Sequence, residues 1–84
     1  MKINQIDLEN LATDYEEELK KDGFNVVIKP YWAYGAYSYM FNFDTPQGKR
    51  QVATTLDTKK QCYARMKEAY YQILNNAEYY KGAK

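Results

Sequence analysis

Between Tyr37 and Phe43 every second side chain is an aromatic ring. Tyr37, Tyr39, Phe41 and Phe43 alternate with Ser38, Met40 and Asn42, and a period of two places all four rings on one side of an extended strand. A strand with so much apolar surface on one face belongs in a sheet, and that face has to be covered by another layer. Neighbouring strands and a cover must come from the sequence on either side.

Upstream, Phe24, Val26 and Ile28 alternate with Asn25, Val27 and Lys29, which predicts a strand that Pro30 either ends or holds at a sheet edge. Tyr31 to Ala36, with Gly35 free to take a positive φ, reads as the connection of a hairpin. Downstream, Asp44-Thr45-Pro46-Gln47-Gly48 is a turn by composition, and Arg50 to Leu56 reads as a third strand with Val52, Thr54 and Leu56 on one side. Short connections make the three strands an antiparallel meander.

The cover comes from the two ends of the chain. Ile6, Leu8, Leu11, Ala12, Tyr15 and Leu19 recur at helical spacing, with the acids of Asp14 to Glu18 mostly on the other side. Asn4 or Asp7 caps this helix, Lys20 and Lys21 suit its end, and Gly23 supplies a left-handed stop. Thr58 with Gln61 fits a capping box, with Asp57 as a competing cap, and Cys62, Met66, Ala69, Tyr70, Ile73 and Ala77 share a face of the helix that follows. The expected fold is α+β in the order α-β-β-β-α, a three-stranded antiparallel meander with two helices packed on one face. It forms a single domain over residues 1–84, with a tail that frays from about 79 to 84.

A chain of 84 residues has room for one core. No apolar stretch approaches the roughly 20 residues needed to cross a bilayer, and no basic segment followed by an apolar one opens the chain, so a cytoplasmic protein without membrane contact is expected. Histidine is absent, Cys62 is the single cysteine and Ser38 the single serine. The usual Ser-His and Cys-His pairs are therefore missing, as are a phosphate-binding glycine loop and metal-ligand spacing. These absences predict a non-enzyme with no catalytic residue, metal, cofactor or small-molecule substrate.

The net charge of +1 conceals an asymmetry. Up to Asp22 three lysines face seven acids, a net −4, whereas from Gly23 onward nine bases outnumber four acids, a net +5. Tyrosine is the outlier of composition, with ten residues, and its rings carry binding surfaces at low entropic cost. Alternation assigns Tyr37 and Tyr39 to the core. Tyr31, Trp32 and Tyr34 crowd a short loop, where they form either a contact patch or part of the core. Lys60, Lys67 and Tyr71, with Tyr63 at the edge, make a basic and aromatic stripe on the second helix, either a binding stripe or a solvated face.

From Tyr37 to Leu74 the order strand, Gly48-Lys49-Arg50, strand, Thr58-Lys59-Lys60-Gln61-Cys62 resembles two nucleic-acid-binding families. One is the double-stranded RNA-binding domain, whose last helix opens with a hydroxyl residue and paired lysines, as Thr58, Lys59 and Lys60 do here. The other is the arm-type, AP2-like N-terminal domain of phage and transposon integrases, whose sheet enters the DNA major groove. The first resemblance implies phosphate contacts from the lysine pair, yet the acidic first helix would repel an RNA duplex, and Tyr63 stands where that family has a third lysine. The second implies base or phosphate contacts from the outer sheet face, through Asn25, Lys29, Ser38, Asn42, Gln51 and Thr55.

The expectation is a nucleic-acid-binding module of phage or mobile-element type, for DNA more than duplex RNA. Lys49, Arg50, Lys59, Lys60 and Lys67 would hold phosphates, and either the Tyr31 to Tyr34 loop or the outer sheet face, with Asn42 and Gln51, would make closer contacts. The competing expectation is a protein-interaction module or inhibitor that engages a host nuclease or defence complex, in the manner of an anti-CRISPR, through Tyr31, Trp32, Tyr34, Tyr63 and Tyr71. A homodimer that pairs sheet edges or buries the aromatic loop is a third option.

Overall fold

The computed structural model describes residues 2–82. The elements are α1 (Gln5–Lys21), β1 (Val26–Ala33), β2 (Ala36–Thr45), β3 (Gly48–Ala53), α2 (Lys59–Asn75) and α3 (Ala77–Lys81). The strands form one antiparallel sheet in the order β1-β2-β3. The α-β-β-β-α order read from the sequence is the observed one, with a short third helix appended.

Asn4 is the N-cap of α1, and its backbone N–H donates to the Asp7 carboxylate at 2.8 Å. At the other end Phe24 N–H donates to Leu19 O at 3.0 Å and Gly23 N–H to Lys20 O at 3.1 Å. That pattern requires a left-handed residue between helix and strand, and Gly23 takes it with φ 94°. On α2 the Thr58 hydroxyl accepts the Gln61 N–H at 3.2 Å, so the capping residue is Thr58 and not Asp57.

The sheet register pairs Val26 with Phe43 and Ile28 with Phe41 across one junction, and Phe41 with Val52 across the other. These side chains face the helices, and with Leu8 and Leu19 of α1 and Cys62, Met66 and Ile73 of α2 they make the core. Leu8, Val26, Phe41, Cys62, Met66 and Ile73 have no accessible surface. Tyr15 of α1 stacks on Tyr70 of α2 with ring centroids 4.1 Å apart and nearly parallel, closing the seam between the helices.

Three local readings change. Of the two options for Pro30 the edge position is the observed one, since β1 is an edge strand and runs on to Ala33, so the connection shrinks from six residues to Tyr34 and Gly35. Pro30 is tolerated because its position turns away from β2: Asp44 N–H bonds Asn25 O, so the odd-numbered residues of β1 make the ladder and Pro30 surrenders no bond. β3 stops at Ala53. Thr54 N–H bonds Tyr39 O while Asp57 bridges Tyr37, so Thr55 and Leu56 together oppose Ser38. The bulge takes Leu56 off the covered face and leaves it 42% exposed.

The C-terminal segment, where a tail was expected from about 79, carries a short helix up to Lys81. Asn76 ends α2, and α3 folds back so that Tyr80, 7% exposed, packs on Phe43 with ring centroids 4.9 Å apart. Gly82 closes α3 in the left-handed region at φ 74°, where an added Cβ would collide with Thr45 and Pro46. Residues 83–84, the rest of the expected frayed tail, lie outside the described residues.

Candidate functional site

The two central residues of the β1-β2 hairpin both have positive φ, 55° at Tyr34 and 72° at Gly35, the sign that a two-residue hairpin turn needs to match strand twist. Glycine adopts it freely. Tyrosine does so against its Cβ, and here the ring finds no compensating contact, since Tyr34 is fully exposed. Tyr31 stands on the uncovered sheet face of the same end, 51% exposed. Trp32, expected beside them, is separated by strand alternation: it turns under the sheet, half-buried, and meets Tyr37 and Tyr39 edge-on at 5.5 and 6.3 Å.

Around this tip lies a shallow depression lined by Lys2, Ile3, Gly35, Tyr37, Thr58, Lys59 and Lys60. Lys59 holds its ammonium 5.6 Å from the Tyr37 ring centre. Among the described residues the ion pairs are Lys20 with Glu16, Lys21 with Glu18 and Arg65 with Glu68; Lys2, Lys59 and Lys60 belong to none. The nearby acids are occupied by backbone donors, Asp57 by the Thr58 N–H and Asp7 by the Asn4 N–H, each at 2.8 Å. The first amides of α2 add the positive end of the helix dipole to the same spot.

A stripe continues from this end along the outward side of α2. Lys60, Lys67 and Tyr71 share it; Lys67 sits 4.9 Å over the Tyr63 ring and Tyr71 is 62% exposed. Of the expected site residues, Lys59, Lys60, Lys67, Tyr31, Tyr34, Tyr63 and Tyr71 therefore fall on one end and one flank.

The others do not join them. Asn42 and Gln51 lie on the open sheet face and bond each other at 2.7 Å, and Lys49 pairs in register with Asp44. Arg50, expected beside Lys49 on phosphate, takes the opposite, covered face across from Phe43. Its guanidinium lies over the Tyr79 ring at 4.4 Å. Seven residues of β2 separate the register of Tyr37 from that of Asp44, so the Lys49 end lies about 24 Å from the Lys59 end. Lys2 is the addition, a residue whose part follows from the start of the chain running alongside α2.

Cys62 is buried, and burial pushes its thiol up to about 11, with the Thr54 hydrogen bond opposing that shift. Tyr39 is likewise raised to about 12 by burial. Both are core groups held in their neutral forms. Among the described residues no helix is long and apolar enough to cross a membrane. Comparison with protein-family models, with curated proteins and with solved structures gives no match.

Proposed function

We propose that this protein is a small non-enzymatic nucleic-acid-binding module that works in the cytoplasm and grips its ligand at the hairpin end. The carrying observation is the company kept by the hairpin turn: Tyr34 holds a fully exposed ring in a left-handed conformation, and its neighbour Gly35 lines a depression with Lys2, Lys59 and Lys60, none of them ion-paired among the described residues. Lysines and helix amides attract phosphate, and an exposed ring stacks on an unpaired base. Lys67 and Tyr71 extend the same chemistry along α2. The lysine pair is the one that resembles the opening of the last helix in double-stranded RNA-binding domains.

The acidic α1 selects among nucleic acids. Its outward side carries the exposed Asp14 and Glu17, so a long duplex laid across both helices would meet like charge. A single strand, or a junction with unpaired bases, confined to the hairpin end and α2 avoids it. The test is fluorescence anisotropy with single-stranded and duplex DNA and RNA of matched length at several salt concentrations. Single strands should bind best, and Lys59→Glu with Lys60→Glu should flatten the slope of log affinity against log salt by about 1.4, two phosphate contacts at 0.7 each. An unchanged slope rejects the proposal.

A specific feature favours a second reading, an inhibitor that engages a basic groove on a host protein such as a nuclease or defence complex. Asp14 and Glu17 are exposed and unpaired among the described residues, and Ile6 on the same helix is 55% exposed. Charge reversal of Asp14 and Glu17 separates the readings. It should abolish capture of such a protein from nuclease-treated lysate if the second holds, and tighten nucleic-acid binding if the first does.

A further inference from the structure

The two edges of the sheet are built differently. The β1 edge is closed by its own sequence: the Ile28 N–H, which points away from β2, donates to the Glu16 carboxylate of α1 at 2.9 Å, and two residues on Pro30 has no N–H to offer. Among the described residues the β3 edge has no such closure. Thr54 N–H bonds Tyr39 O, so the even-numbered residues of β3 make the ladder. The N–H and C=O groups of Lys49, Gln51 and Ala53 therefore point outward, and all three residues are exposed. Beneath that edge runs a groove lined by Val52 and Ala53 from the strand, Thr54 just past its end, and Arg65, Glu68 and Gln72 from α2.

We infer that the β3 edge pairs antiparallel with the β3 edge of a second copy, joining two three-stranded sheets into one of six strands. Charge restricts the register. A two-fold axis at Lys49 opposes two lysines, and one at Arg50 opposes two arginines. An axis at Gln51 sets Gln51 against Gln51 of the second copy and Lys49 against Ala53, opposes no like charges, and uses every outward backbone group of β3. The Arg65 and Glu68 pair of each groove, 3.3 Å apart, brings a cation and an anion to the same symmetric junction, so the helix layer is electrically self-complementary as well. A second copy suits the edge better than a charged foreign strand, because the two lined grooves are net neutral.

The register supplies its own test, because residue 53 of one copy faces Lys49 of the other. Ala53→Lys places two ammonium groups opposite each other at both ends of the junction, and Ala53→Glu replaces them with two opposite-charge pairs. Sedimentation velocity of the full chain, free of nucleic acid, should show the 9.9 kDa species doubling in mass as concentration rises. Ala53→Lys should weaken that association and Ala53→Glu strengthen it, each by about tenfold, and the difference between them should fade in high salt. Circular dichroism reports whether each variant is folded; should Ala53→Lys unfold, the direction of the Ala53→Glu effect decides alone. A wild type that stays monomeric at its highest soluble concentration overturns the inference. So does a dimer that ignores both substitutions, or one that Ala53→Glu weakens.

Discussion

Tyr34 sets local stability against a contact surface. A left-handed φ costs a non-glycine residue about 1–2 kcal/mol through Cβ crowding, and asparagine, whose short side chain tolerates that region, is the usual first residue of such a turn. Tyr34→Asn should raise unfolding stability by about 1 kcal/mol in urea titrations. The same substitution should weaken single-strand binding at least fivefold, since stacking on one ring contributes about 1–3 kcal/mol. Glu16 is the opposite case, a side chain whose placement is entirely structural. Burial pushes its carboxyl upward, but the Ile28 N–H and the Lys20 ammonium outweigh that and leave it below the ordinary range. A depressed folded value means the stabilisation is present at neutral pH and is lost as the pH falls below the unfolded glutamate value of about 4.3. Equilibrium unfolding should show wild type ahead of Glu16→Gln at neutral pH, with the gap narrowing on acidification.

At the scale of elements, the alternation of Tyr37 to Phe43 and the apolar stripes of both long helices were readable because each repeats over several turns or pleats and asks for one buried face. What stayed hidden depends on contacts between elements. Pro30 is compatible with a strand end or an edge position until the ladder shows that its position turns away from β2. Leu56 looks like core until the bulge opposite Ser38 displaces it. A five-residue helix cannot hold itself together, so nothing in the local sequence announces α3; it exists because Tyr80 finds Phe43, Tyr79 meets Arg50 at 4.4 Å and Lys81 covers the Phe24 ring at 4.9 Å. Tyr80→Ala should therefore cost about 3 kcal/mol, as for other buried aromatic truncations. Tyr80→Phe should cost far less, since it keeps the ring that packs on Phe43. Denaturant midpoints at constant slope distinguish these outcomes from a change in the unfolded state.

The whole molecule measures 41 × 22 × 17 Å, and two groups of its cations lie about 24 Å apart along the sheet. Lys2, Lys59 and Lys60 line the depression beside the β1-β2 turn, while at the other end of the sheet Lys49 lies across from Asp44 and Arg50 is held against Tyr79. This division explains why the candidate site was half legible: the lysine pair and the tyrosines are local in sequence, whereas the arrival of Lys2 and the turning under of Arg50 follow from how the chain closes on itself. It also makes the two groups experimentally separable. With a Debye length of about 8 Å at physiological ionic strength, a charge about 24 Å from the ligand is almost fully screened. Lys2→Glu should therefore flatten the salt slope for single strands by about 0.7. Lys49→Glu should leave the slope unchanged, apart from a small loss of stability where it faces Asp44. Arg50→Glu should act on stability, through the lost cover of Tyr79, before it acts on binding. If Lys49→Glu flattens the slope as much as Lys2→Glu does, the ligand lies across the open sheet face and the hairpin end is not where it is held.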